Sequence, residues 1–218
     1  MRSASSSVAF LLVLGTSALV PAQIPEKFEN LQFFPKDIER RALIDRMRDF
    51  SGALGVRCEF CHVGEGGPEL KNMNFASDDK ETKRTARRML VMVAAIQNDY
   101  IANLANLGRA RPLQVGCFTC HHGVSRPEPL EVVIGEVLES SGIEAAVDRY
   151  RSLRKEHYGS AAYDFGESPL NRLGERLLRA GKRDGALALL ELNREFHPDS
   201  AWLQHLLEEA RKVREPGE

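Results

Sequence analysis

The four cysteines of the chain fall in two short motifs with identical spacing. CEFCH (residues 58–62) and CFTCH (117–121) are both of the form C-x-x-C-H, and together they use every Cys among the 218 residues. Two thiols at this spacing can form thioethers with the two vinyl groups of one haem, and the adjacent His can then ligate the iron. The sequence therefore predicts two covalently attached haem c groups, held by Cys58, Cys61, Cys117 and Cys120, with His62 and His121 as iron ligands.

Paired cysteines have other uses, which remain alternatives to haem c at this point. Four thiolates can hold a structural Zn²⁺, but 55 residues separate the two pairs, which is wide for a zinc ribbon, and such a site leaves both histidines unexplained. A thioredoxin-like dithiol needs a βαβ setting, for which the sequence has no pattern. A disulfide inside each pair would be a strained staple.

Residues 1–22 have the pattern of a signal peptide. One Arg and a Ser-rich stretch precede an apolar run of thirteen residues, Val8 to Val20. That length suits the hydrophobic region of a signal peptide and is short for a membrane span. We therefore expect export to the periplasm, with an uncleaved N-terminal membrane anchor as the alternative. Export also suits haem c, because the haem is attached in that compartment.

The composition of the chain excludes several classes of protein. Lys and Arg number 30 against 31 Asp and Glu, a formal net charge of −1, without the basic excess of a simple nucleic-acid binder. Charged residues make up 28% of the chain, which excludes a polytopic membrane protein and argues against wholesale disorder.

The apolar spacing predicts an all-α fold, since no segment alternates convincingly with period two. One amphipathic helix is expected over residues 37–54, ended by Gly55. A second is expected from just after Ser77 to about residue 107, with Asp78 and Asp79 in its first turn. The apolar face of this second helix comprises Met89, Val93, Ile96, Tyr100 and Leu104.

The sequence RPEP at residues 126–129 interrupts any helix and predicts a boundary between a dihaem domain, 23–129, and a helical domain, 130–218. In the second part we expect helices over 130–140 and 143–157. A further helix should be capped by Ser168 and end at Ala180, and others should cover 183–196 and 199–213. Apolar and glycine spacing over 173–198 resembles a tetratricopeptide repeat. A plain helical hairpin that covers the first domain is the alternative.

Residues 31–129 resemble the cytochrome c subunit of photosynthetic reaction centres. MRDFSGALGVRC (47–58) resembles one half-repeat of that family, in which a Met-bearing helix and a Leu-Gly turn precede the haem cysteines. ARRMLVMV (86–93) through GCFTCHHG (116–123) resembles its companion. The resemblance implies that His62 and Met47 are the axial pair of the first haem. It implies His121 and Met89 for the second, with Met92 as the alternative to Met89.

His/Met ligation fills both axial positions and leaves no open site for O₂ or peroxide. We therefore expect an electron carrier rather than an enzyme, with redox proteins as donor and acceptor. Residues 130–218 would dock a protein partner or a membrane complex. One alternative is a dihaem peroxidase-like oxidoreductase with one open haem site. The other is a helical-repeat interaction protein whose haems only sense redox state.

Overall fold

The computed structural model describes residues 24–67, 70, 72–104 and 112–212, and within these ranges the chain is helical. The prediction of an all-α fold is confirmed. In the described part no strand forms, and the one β-type pairing is an isolated bridge between Val63 and Asn74. The helices are α1 (Arg40–Leu54), α2 (Cys58–Cys61), α3 (Glu81–Ala95), α4 (Cys117–His121), α5 (Leu130–His157), α6 (Glu167–Arg179), α7 (Arg183–Phe196) and α8 (Ala201–Lys212). Among these described helices, none is both long enough and apolar enough to cross a membrane.

Helix α1 ends as its sequence predicts. Gly55 follows its last residue with φ of +63°, a left-handed conformation that a residue without Cβ adopts at little cost. The helix begins at Arg40 rather than at residue 37, because the chain first makes a turn in which the Ile38 N–H donates to the Pro35 carbonyl.

Helix α3 begins three residues later than expected, so Asp78 and Asp79 precede it instead of lying in its first turn. The Asp78 carboxylate accepts hydrogen bonds from Asn30 and Gln32, far away in the sequence, and this holds the segment before the helix in an extended path. After Ala95 the helix widens into a π-turn (Ile96–Tyr100) and tightens into a 3₁₀ turn (Ile101–Asn103). The expected end near residue 107 lies outside the described residues.

The second half follows its expected helices closely. Gly142, with φ of +87°, breaks α5 into the two predicted pieces, and α7 has the predicted bounds. The prediction that Ser168 caps α6 is wrong, because the helix already starts at Glu167, after an extended Gly166. The Ser200 hydroxyl caps α8 by accepting from the Leu203 N–H at 3.1 Å. Residue 213, the expected end of that helix, lies outside the described residues.

The apolar core lies almost wholly in α5 to α8. Leu130, Ile134 and Leu170 are fully buried there, and Leu203 and Leu207 on α8 belong to an adjoining cluster. Among the described residues before 130, the buried apolar side chains are Leu43 and Ala53. The half of the chain that carries the cysteine motifs therefore encloses very little apolar volume by itself.

Candidate haem-binding site

Each C-x-x-C-H motif forms its own short helix, α2 or α4, and His62 follows directly after the end of α2. A separation of three residues places the two thiols of each pair on one face, about a turn apart. All four thiols are free; those of Cys58, Cys61 and Cys117 are half-buried and that of Cys120 is exposed. Burial raises the pKa of the Cys61 and Cys117 thiols, which keeps them protonated at neutral pH.

The second motif helix, α4, packs against α1. Its exit is fixed there by the backbone, since the Gly123 N–H donates to the Ala53 carbonyl at 2.9 Å. Gly55 lies against the same segment: a Cβ on Gly55 would be 2.0 Å from the Gly123 carbonyl oxygen. Only a residue without a side chain fits this crossing.

The first motif helix, α2, packs against α3. The Thr82 hydroxyl and the Lys80 ammonium, at the start of α3, donate to the carbonyls of Phe60 and Glu59 in α2. These bonds hold the C-terminal end of α2 on the first turn of α3.

The packing is reciprocal, because each motif helix rests on the methionine-bearing helix of the other predicted site. In the described part of the chain, the helix pairs predicted to share a haem, α1 with α2 and α3 with α4, do not pack extensively on each other. The contacts therefore cross between the two predicted sites, so the two motif helices and the two methionine-bearing helices form one connected unit.

The methionines proposed as ligands have little protein cover. Met47 is half-buried on α1, while Met89 and Met92 on α3 are 41% and 47% exposed. Tyr100 and Leu104, predicted on the same apolar face as Met89, are 68% and 52% exposed. This exposed apolar face carries methionine sulfur atoms that can bind iron, and its apolar surface is of the kind that a haem would cover.

The imidazole of His62 is held in the neutral form that can ligate a metal. Burial, and then the positive charge of Lys83, lower its pKa to about 4. Its Nδ1 atom is buried and has no hydrogen-bond partner among the described residues. The ring of Phe75 meets the imidazole edge to face, with centroids 5.1 Å apart.

His121 has a different environment. Its Nδ1 lies 2.9 Å from the carbonyl oxygen of Val124, a bond that orients the ring and leaves Nε2 free for a metal. The next residue, His122, takes the left-handed conformation (φ of +49°), is half-buried and packs edge to face on Phe118.

Lys83 is a feature of the first site that the sequence does not reveal. It is only 8% exposed, and its Nζ donates to the carbonyls of Phe75, Ala76 and Ser77 at 2.8, 3.1 and 2.6 Å. It thereby fixes the loop that carries the Phe75 ring against His62. A lysine in a run of basic helix residues is ordinarily a solvated one, so nothing in its local pattern marks this role.

Asp78 joins the N-terminal segment to this loop and to α3. Its carboxylate accepts from Asn30, Gln32 and Arg87, and it forms an ion pair with Lys83 at 3.2 Å. The hydrogen bond from Asn30 and those from the two cations hold the pKa of Asp78 well below its usual range.

The two cysteine pairs occupy separate positions. Within the described residues, no three His, Cys, Asp or Glu side chains come close enough together to hold a metal ion. The four thiols are thus not gathered into one four-thiolate site.

Comparison with known proteins bears on the second motif and the helices around it. Residues 67–172 match the family model of the photosynthetic reaction centre cytochrome C subunit. The resemblance predicted from the sequence is confirmed. The match includes α3, α4 and α5; it begins after the first motif and extends beyond the RPEP interruption.

Two curated relatives agree with this match. Cytochrome c-554 of Chloroflexus aurantiacus is 40% identical over 81 residues, which is 37% of this chain and 16% of that protein. The photosynthetic reaction center cytochrome c subunit of Thermochromatium tepidum is 33% identical over 107 residues, 49% of this chain and 23% of that protein. The matched region thus spans less than a quarter of either relative. No solved structure gives a significant match.

Proposed function

We propose that this protein is an exported dihaem c-type cytochrome that transfers electrons between redox partner proteins. The observation that carries the proposal is the pair of C-x-x-C-H motifs, each with two free thiols on one face of a short helix and a histidine directly after the second cysteine. The similarity to reaction-centre cytochromes supports a c-type cytochrome in electron transfer. A covalent haem would also supply apolar contacts to the described residues before 130, of which only the apolar side chains of Leu43 and Ala53 are buried.

In this proposal Cys58 and Cys61 bind one haem and Cys117 and Cys120 the other. A haem supplies one-electron exchange between ferric and ferrous iron, at a potential that the protein sets through the ligands and their surroundings. His62 and Met47 would be the axial ligands at the first site, and His121 and Met89 those at the second. With two protein ligands on each iron, neither site would bind O₂ or peroxide, which is the reason to propose a carrier and not an enzyme.

The two halves of the chain would divide the work. Residues 23–129 would be the electron-transfer part and residues 130–218 the helical part. The packing of helices α5 to α8 does not depend on haem, because these helices enclose their own core. We propose that the helical part docks a redox partner or a membrane complex. Its tetratricopeptide-like character remains a prediction.

Haem content tests the proposal directly. The full chain, matured in a periplasm competent for haem c attachment, should carry two covalent haems by pyridine haemochrome assay and by intact mass. Its oxidised form should show the near-infrared charge-transfer band of Met-ligated iron. A chain with both Cys117 and Cys120 changed to Ala should carry one haem, and the corresponding change of Cys58 and Cys61 is the matched control.

Other results would redirect or overturn the proposal. Two haems with one high-spin signal and peroxide turnover would favour the peroxidase alternative. A wild-type chain that acquires no covalent haem under these conditions would overturn the proposal, because both motifs would then serve another purpose.

A further inference from the structure

The two histidines of the C-x-x-C-H motifs have different surroundings, and these surroundings affect the reduction potentials of the two haems in opposite senses. We infer that the haem at Cys58, Cys61 and His62 has the higher reduction potential, so that electrons pass from the second site to the first. Lys83 and the His121–Val124 hydrogen bond set this order. The inference rests on the proposed function, since it requires both haems.

The first observation is the hydrogen bond on the far side of each imidazole. His121 has the Val124 carbonyl 2.9 Å from its Nδ1. The His62 imidazole lies near the Phe75 carbonyl, but its buried Nδ1 makes no contact of hydrogen-bond geometry with the described residues. An imidazole that donates its Nδ1 proton to a carbonyl becomes a more basic ligand through Nε2. A more basic ligand stabilises ferric iron relative to ferrous iron, and this lowers the potential of the second site.

The second observation is a buried cation beside the first site. The Lys83 ammonium is nearly enclosed and is bound by three backbone carbonyls on the loop that packs on His62. A positive charge in a poorly solvated position favours the iron state with one positive charge fewer, which is ferrous iron. Lys83 therefore raises the potential of the first site.

The other charges near the first site do not reverse this effect. Lys80 donates to the Glu59 carbonyl in α2 and Arg87 pairs with Asp78, so both add positive charge beside the first site. Asp78 offsets part of it but is shared between Lys83 and Arg87. Glu59, next to Cys58, has Arg57 3.5 Å from its carboxylate.

At the second site, the hydrogen bond between His121 and the Val124 carbonyl acts in the opposite sense and lowers the potential. Both observations thus give the same order of potentials. One electron moves from the second site to the first, so ferrous iron is oxidised at the second site as ferric iron is reduced at the first.

The wild-type holoprotein provides a test that requires no variant. Stepwise oxidation of the fully reduced protein is followed by NMR, with the Val124 methyl signals reporting on the second site and the Phe75 ring signals on the first. We expect the Val124 signals to change at lower potential than the Phe75 signals. The inference is overturned if the Phe75 signals change first or if both change together.

Substitution at Lys83 tests the source of the difference. Lys83→Gln should lower the midpoint of the higher-potential haem by about tenfold in its redox equilibrium, which is 59 mV for one electron, and should leave the other midpoint in place. Lys83→Arg keeps the charge and should retain the wild-type midpoints. Lys182→Gln removes an exposed lysine paired with Glu139 in the helical half, and serves as the matched control.

The outcomes separate the inference from the proposed function. Wild-type protein that fails to acquire two haems contradicts both. Two haems whose sites oxidise in the opposite order, or a well-folded Lys83→Gln protein with unchanged midpoints, overturn the inference alone. If Lys83→Gln disturbs the loop, the order of oxidation in the wild-type protein still decides.

Discussion

Gly55 and Gly123 meet so closely that a Cβ on Gly55 would lie 2.0 Å from the Gly123 carbonyl oxygen. Beside this contact, the Gly123 N–H donates to the Ala53 carbonyl. The end of α1, which carries Met47, and the end of α4, which carries His121, are therefore locked together through backbone alone. A change at this crossing should affect both proposed haem sites, although Gly55 belongs to neither motif.

We expect Gly55→Ala to destabilise the first half of the chain. A left-handed conformation costs a residue with Cβ about 1–2 kcal/mol, and the clash with a backbone oxygen cannot be relieved by rotating a side chain. The free energy of unfolding of the holoprotein should fall by roughly 2 kcal/mol or more, and haem incorporation at both motifs should decrease. Denaturant titration and haem quantitation measure the two effects.

Gly52→Ala is the control for this prediction. Gly52 is an exposed glycine inside α1 with no atom within 4 Å of its added Cβ. Replacing a helical glycine by alanine should raise stability by about 0.5–1 kcal/mol. If both variants behaved alike, the Gly55–Gly123 contact would have no special role.

The Asp78 carboxylate should make the stability of the first half depend on pH. Its pKa is depressed in the folded protein by hydrogen bonds from Asn30 and from Arg87 and Lys83. The stabilising effect is therefore complete above the unfolded pKa of about 4 and is lost as pH falls through the lower folded pKa. Acid unfolding of the wild type should follow this loss.

Asp78→Asn should lower stability at pH 7 and flatten the dependence between about pH 4 and 2, because an amide at this position cannot ionise. Asp79→Asn, at the exposed neighbouring residue, is the control and should retain the wild-type profile. Thermal melts across this pH range compare the three proteins. A wild-type slope in the Asp78→Asn protein would show that other groups dominate acid unfolding.

The second iron should lose its sulfur ligand in Met89→Ala and keep it in Met92→Ala. Both side chains lie on the exposed part of α3, so neither substitution should create a large cavity in the protein. Replacing the ligand by water or a nitrogen ligand should remove about half of the near-infrared band and lower one midpoint potential. The reverse pattern would assign Met92 as the ligand.

The sequence predicts those parts of this fold that local signals determine. The bounds of α7 follow from Gly181 before it and Pro198 after it, and the end of α1 follows from Gly55. The start of α3 does not, because Asp78 is held by Asn30 through a contact 48 residues apart in the chain. The residues around Asp78 do not indicate a contact with a residue so far away in the chain.

The same reasoning explains what the sequence reveals of the candidate site. The two C-x-x-C-H motifs can be identified from the sequence alone, because the spacing of their Cys and His residues is fixed. The burial of Lys83 depends on three carbonyls from a loop with no repeating pattern, and the hydrogen bond to Nδ1 of His121 depends on how the chain turns at Val124. These groups differ between the sites, whereas the motifs are alike, so the sequence predicts the same ligand types at both sites and the structure shows unequal surroundings.

The helical half should unfold without affecting the haem sites, and Asn193 provides the means to test this. Its side chain is fully buried and donates from Nδ2 to the Glu167 carbonyl and to Asn171 Oδ1, both at 2.9 Å. Asn193→Ala removes both hydrogen bonds and leaves the buried Oδ1 of Asn171 without this donor, at a cost of about 1–3 kcal/mol. We expect the helical signal of residues 130–212 to melt earlier while haem content and both midpoint potentials stay at wild-type values.

Gln204→Ala, at an exposed position on α8 in the same half, is the matched control; it removes only a solvent-exposed hydrogen bond to the Pro198 carbonyl and should shift the melt far less. Circular dichroism follows the helices and haem absorbance follows the first half in the same sample. Simultaneous loss of both signals in the Asn193→Ala protein would mean that the two halves unfold as one unit. Separate transitions would support a boundary near residue 130. The core cluster around Asn193 begins at Leu130, so its loss should leave the residues before the boundary folded.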